Sequence, residues 1–109
     1  AGVDLAAPVG TPIFAILGGK IERVGWEDPL DKNRGFGLRI VHLVRVLNVP
    51  HKLFYGHLSE ITVVAGQKVE QGDRIGYTGN TGRSSGPHLH VELRDMENEP
   101  HPIAFEKEA

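Results

Sequence analysis

Phe36-Gly37-Leu38-Arg39-Ile40-Val41-His42-Leu43-Val44-Arg45-Val46 alternates along its whole length. Phe36, Leu38, Ile40, His42, Val44 and Val46 fall on one side, and the other side includes Arg39 and Arg45. A period of two reads as a long strand with one buried face. Working outward, Asn48-Val49-Pro50-His51 is expected to turn the chain, and Lys52 to His57 to return as the partner strand. On the N-terminal side, Trp26 to Gly35 is charged and carries Pro29, so it reads as a solvated loop. Before it, Thr11 to Leu17, Gly18-Gly19 and Lys20 to Gly25 read as strand, hairpin turn and strand. On the C-terminal side, Ser59 to Val64 leads into Val63 to Gly79, where glycine recurs so often that a helix would lose about 1 kcal/mol at each one. Tight turns are expected there, then a loop over Asn80 to Pro87 and a closing strand from His88 to Leu93. From Asp95 the chain is charged and broken by proline, a C-terminal tail (95–109) with a short turn expected near Ile103 to Phe105.

Composition supports the same class. Val, Ile and Thr number 22 against 17 for Ala and Leu, which favours pleated structure over helix. Glycine and proline make up 21 of the 109 residues and mark turns in an otherwise apolar, folding chain. A chain of 109 residues is expected to form one domain, 1–109, burying roughly 65% of its unfolded surface. A net charge of −2 implies no basic stripe, and so no nucleic-acid partner. With no cysteine there is no disulfide scaffold, no thiolate metal site and no thiol nucleophile. No apolar run approaches the ~18–20 residues of a membrane span. Ala1-Gly2-Val3-Asp4-Leu5 has no signal-peptide character and reads as the interior of a domain, so further sequence is expected before it.

The chemistry concentrates in four residues. His88 and His90 are one residue apart in a predicted strand, which puts both imidazoles on one face, about 7 Å apart along the backbone. Such a pair can ligate a first-row metal together, or place one ring on the metal and the other over its water. His57, in Tyr55-Gly56-His57-Leu58-Ser59, and Asp4, in Gly2-Val3-Asp4-Leu5, stand near the ends of other predicted strands. Taken singly, Asp4 could cap a turn and His57 could hydrogen-bond a backbone carbonyl. Glu92, two residues beyond His90 on the same face, reads as salt-bridged or exposed before it reads as a partner of that histidine. His42 reads as a core histidine; His51 and His101, beside prolines, read as solvated. Trp26, Phe36 and Tyr77 read as packing aromatics that could also line a groove. The glycine-rich run from Gly76 to Gly86 lacks the Lys-Ser/Thr ending of a phosphate-binding loop.

Taken in order, these segments resemble the lysostaphin- and LytM-like zinc metallopeptidases of family M23. Gly2 to Ile13 is similar to the family's Asp-containing opening motif, and Tyr55 to Ser59 to its central His-Leu-Ser motif. Gly66 to Val69, Gly72 to Gly76, Thr78 to Gly82 and Gly86 to Glu92 match its closing half in order, so the likeness covers roughly residues 2–94. It implies an all-β duplicated hybrid motif whose antiparallel sheets form a sandwich or barrel-like groove. It also implies one Zn²⁺ held by Asp4, by His90 and by a histidine four positions before Asp4, with His57 and His88 beside the metal's water, either one as general base and the other as hydrogen-bonding group. The first of these ligands would fall one residue before Ala1, so the chain is expected to begin just after it. The implied activity is endopeptidase cleavage of peptide stems or cross-bridges of bacterial peptidoglycan. It would act outside the cytoplasm, in a secreted, envelope or phage-delivered protein. The alternative is a degenerate, metal-free module that binds cell wall or a partner and regulates another hydrolase. The His-Glu-x-x-His helix of other metallopeptidases is absent from the sequence.

Overall fold

A computed structural model describes residues 2–103. It contains β1 (Val3–Ala6), β2 (Pro12–Phe14), β3 (Gly19–Trp26), β4 (Leu38–Val46), β5 (Val49–Ile61), β6 (Lys68–Val69), β7 (Arg74–Thr78), β8 (His88–Asp95) and β9 (Pro100–His101), and no helix among the described residues. The main path runs β1-β8-β5-β4-β3-β6 with every pairing antiparallel. β7 joins both β2 and β5, and β9 lies against β8. The path does not close on itself. The all-β expectation is met by this open antiparallel arrangement.

The long strand β5 organises the molecule. From His51 to Gly56 it lies between β4 and β8; from Leu58 to Ile61 it leaves β8 and pairs with β7. Alternation then separates two faces. Leu53 and Tyr55 join Ile40, Val44, Val91 and Leu93 in the apolar core. Phe54 and Gly56 stand opposite Glu92 and His90 on the other face. Burying each large aliphatic side chain of that core contributes roughly 1.5–3 kcal/mol. The core also holds a polar pair: the Ile16 N–H donates to the Tyr55 hydroxyl at 3.1 Å, and that hydroxyl lies 3.2 Å from His42 Nδ1.

Three local expectations are corrected. Gly18-Gly19 does not close a hairpin, because β2 pairs with β7 while β3 pairs with β4 and β6. The β4–β5 turn is two residues, Leu47 and Asn48, both with positive φ (51° and 65°), as a type I′ hairpin requires. Val49, Pro50 and His51 therefore already belong to β5. His51 is buried, its Nδ1 donating to the Val49 carbonyl at 2.8 Å, whereas His101 is exposed as expected. Within the tail, β9 returns to pair with β8 and Ile103 is buried; Ala104 and Phe105 of the expected terminal turn lie outside the described residues.

Candidate metal centre and substrate cleft

Pairing of β1 with β8 sets Asp4 directly opposite His90 and Ala6 opposite His88. Opposed residues of an antiparallel pair project to the same face, and so do residues two apart along one strand. Asp4, His88 and His90 consequently share one face, although 86 positions separate the aspartate from the second histidine. His90 Nδ1 lies 2.7 Å from Asp4 Oδ1, and His88 Nε2 lies 3.5 Å from the same oxygen.

Regular alternation would send His57 to the side opposite Gly56, into the core. Its φ of 65° breaks the alternation at the point where β5 passes from β8 to β7. A non-glycine residue in this region costs of order 1–3 kcal/mol and is tolerated where its surroundings hold it. The His57 N–H donates to the Phe36 carbonyl at 2.7 Å, and its Nδ1–H to the Thr81 carbonyl at 2.6 Å. Thr81 is anchored in turn, its hydroxyl donating to the Leu58 carbonyl at 2.6 Å and accepting from the Leu38 N–H at 3.2 Å. The His57 ring thus ends 4.7 Å from the His88 ring and 6.2 Å from the His90 ring, centroid to centroid. All four predicted residues are brought together.

The tautomers follow from these partners. His88 Nδ1 donates to the Gly86 carbonyl at 2.8 Å, as His57 Nδ1 does to Thr81, so both rings keep Nε2 for the cleft. Burial lowers the His57 pKa more than the Thr81 hydrogen bond raises it, and the ring is neutral at pH 7. The hydrogen bond with His90, reinforced by the nearby imidazoles, holds the Asp4 carboxyl below its ordinary range.

The cleft has a volume of about 570 Å³, and its walls are two loops. They meet backbone to backbone: the Arg83 N–H donates to the Gly35 carbonyl at 2.8 Å and the Gly82 N–H to the Lys32 carbonyl at 3.0 Å. Phe36 forms the inner wall, stacked on His90 at 5.6 Å and on Phe54 at 5.6 Å. Glu27 accepts from the Phe36 N–H at 3.0 Å and pairs with Arg39. Phe36, read from the sequence as a packing aromatic that could also line a groove, does both, whereas Arg94, which also lines the cleft, carried no sequence signal that singled it out. A larger cavity of about 750 Å³, between Leu17, Val44, Val69 and Met96, contains none of the four residues.

One carboxylate oxygen surrounded by imidazole nitrogens is a donor set that suits zinc. Among the described residues no three His, Cys, Asp or Glu side chains are arranged to hold a metal by themselves. Asp4 and His90 would be two of the usual three protein ligands. The residues present fit the ion in kind.

An open antiparallel sheet thus brings Asp4, His88, His90 and the strained His57 together beside one cleft. The family model for Peptidase family M23 matches residues 1–102, and the chain belongs to that family. The glycyl-glycine endopeptidase ALE-1 of Staphylococcus capitis is 44% identical over 91 residues, which cover 84% of this chain and 23% of that protein. The peptidoglycan DD-endopeptidase ShyA of Vibrio cholerae is 40% identical over 92 residues, covering 84% and 19%. The chain thus spans about a fifth of the length of these curated relatives. Among solved structures, the catalytic domain of lysostaphin from Staphylococcus simulans matches with a TM-score of 0.82 and 33% identity, over 99% of this chain and 78% of that one. A zinc-containing peptidase from Vibrio cholerae matches with a TM-score of 0.75 and 36% identity, over 92% and 28%. The expected family and fold are both met.

Proposed function

We propose that residues 1–109 form one zinc-dependent endopeptidase domain that hydrolyses peptide stems or cross-bridges of bacterial peptidoglycan outside the cytoplasm. The observation that carries this reading is the convergence of Asp4, His57, His88 and His90 on one cleft, with both His57 and His88 tied to backbone carbonyls through Nδ1. Relatives named for glycyl-glycine and peptidoglycan endopeptidase activity support the substrate class, and a zinc-containing structural neighbour supports the metal.

Asp4 and His90 would hold the zinc, together with a third ligand. The chemistry a bound zinc supplies is polarisation of the scissile carbonyl and acidification of a water. His57, neutral and locked in one tautomer, offers Nε2 as the proton acceptor, a role typically worth 10²–10⁴-fold. The proton accepted at His57 Nε2 is the one returned to the leaving amine, while His88, its bare Nε2 beside Asp4, accepts a hydrogen bond from the reacting group and orients it. The loop walls admit an extended peptide, and exposed Arg83 at the rim is available to a carboxylate on it.

Zinc stoichiometry and hydrolysis of purified peptidoglycan, measured together on the full-length protein and four variants, test the assignment. His57→Ala and His88→Ala are expected to keep zinc and lose about 10²–10⁴-fold in rate, whereas Asp4→Ala and His90→Ala are expected to lose both. Equal zinc loss in all four would overturn the division of roles. A wild-type protein that binds no zinc and loses nothing on chelation would point instead to a metal-free regulatory or wall-binding module.

A further inference from the structure

We infer that Glu92, clamped by Arg94, is the positioning residue that aims His90 Nδ1 at the metal. This rests on the zinc reading above and concerns a residue that makes no contact with the reacting atoms. His90 Nε2 lies 3.1 Å from Glu92 Oε1, while Nδ1 faces Asp4. An imidazole that donates Nε2–H to a carboxylate has only Nδ1 free to ligate, and the carboxylate makes that nitrogen more basic.

Glu92 is unusually well placed to do this. It is buried, 8% exposed, and each of its two carboxylate oxygens has its own partner, Oε1 facing His90 and Oε2 facing Arg94. Arg94 Nε donates to Glu92 Oε2, and a guanidinium nitrogen of the same side chain donates to the Asn98 side-chain oxygen at 2.9 Å. Its guanidinium carbon lies 4.6 Å from the Phe54 ring centre and 5.8 Å from that of Phe36. The remaining freedom of the His90 ring is closed off by Phe36 on its face and by Gly2 at its edge. A β-carbon on Gly2 would come within 2.9 Å of His90 Cε1. Asp4, His90, Glu92 and Arg94 thus form a single relay in which each charge has a partner.

The test is zinc affinity of the full-length protein, measured by competition with a chromophoric chelator, for wild type, Glu92→Leu and Glu92→Gln, alongside the proton spectrum of His90 in the zinc-loaded wild type. Loss of a hydrogen-bond partner of a metal-ligating histidine typically weakens affinity 10–100-fold. That is the loss expected for Glu92→Leu. Glu92→Gln, which keeps an acceptor oxygen, is expected to recover most of it, and His90 should show a hydrogen-bonded Nε2–H. Equal affinities for wild type and Glu92→Leu, equal losses in both variants, or a His90 proton on Nδ1 would each overturn the inference while leaving zinc binding intact. Absence of zinc binding in the wild type itself would instead remove the reading on which it stands. Should Glu92→Leu fail to fold, Glu92→Gln with Arg94→Leu as companion provides the same contrast, the latter freeing Glu92 from its clamp and costing part of the affinity.

Discussion

His42 is fully buried, and burial pushes its pKa down to about 4. Its neighbour Tyr55 is pushed by burial up to about 12, so neither group ionises near neutrality. An unfolded chain would protonate the histidine near 6.5. Between pH 6.5 and 4 the unfolded state therefore binds a proton that the folded state does not, and stability falls as pH drops through that window. A shift of this size corresponds to about 3 kcal/mol. Urea midpoints at pH 7 and pH 4.5 are expected to lie further apart in the wild type than in His42→Leu. A second residue-scale prediction concerns Gly56, where a β-carbon would stand 2.7 Å from Phe36 Cδ1. Gly56→Ala should destabilise by about 1–3 kcal/mol through overpacking. Because Phe36 stacks on His90, it should also weaken zinc binding; thermal melts and chelator competition read the two effects separately.

At the scale of single elements, the β4–β5 hairpin is closed by a leucine in the left-handed region, at φ 51° and 95% exposed. Leu47→Asn removes no buried surface and installs a residue that tolerates this backbone, so it should stabilise the protein by about 0.5–1 kcal/mol, seen as a higher urea midpoint. The strand β4 was legible because its alternation is strict, and the shared face of His88 and His90 because it needs only a period of two. The turn was misplaced towards Pro50, which sits in β5 opposite Arg45, one residue before β8 begins to pair. The Gly18-Gly19 hairpin misled for a different reason. Its local signal is sound, but β2 finds its partner in β7, some sixty residues away, through contacts that no local pattern announces. His57 could be named from its motif, yet its strained backbone could not, since that depends on the Phe36 and Thr81 carbonyls arriving from two other segments. The burial of Glu92 was likewise hidden, because its partner Arg94 looks, by spacing alone, like any surface arginine.

Across the molecule, the apolar core and the metal-side residues occupy opposite faces of the β5–β8 pair. The core closes without help from Asp4, His57, His88 or His90, unlike small zinc domains in which the metal stands in for a core. Treatment with a chelator is therefore expected to abolish hydrolysis while leaving the strand-type circular dichroism unchanged. Zinc at a hundred times its dissociation constant should add about 2.7 kcal/mol to stability. Collapse of the spectrum on chelation would mean that the two faces are energetically one.

The hairpin tip at Leu47 and Asn48 stands ten residues along β5 from His57, about 30 Å at the rise of an extended strand. A tether, dye or solid support attached there would leave the opposite end, with its histidines, pointing outward toward whatever polymer the immobilised molecule meets.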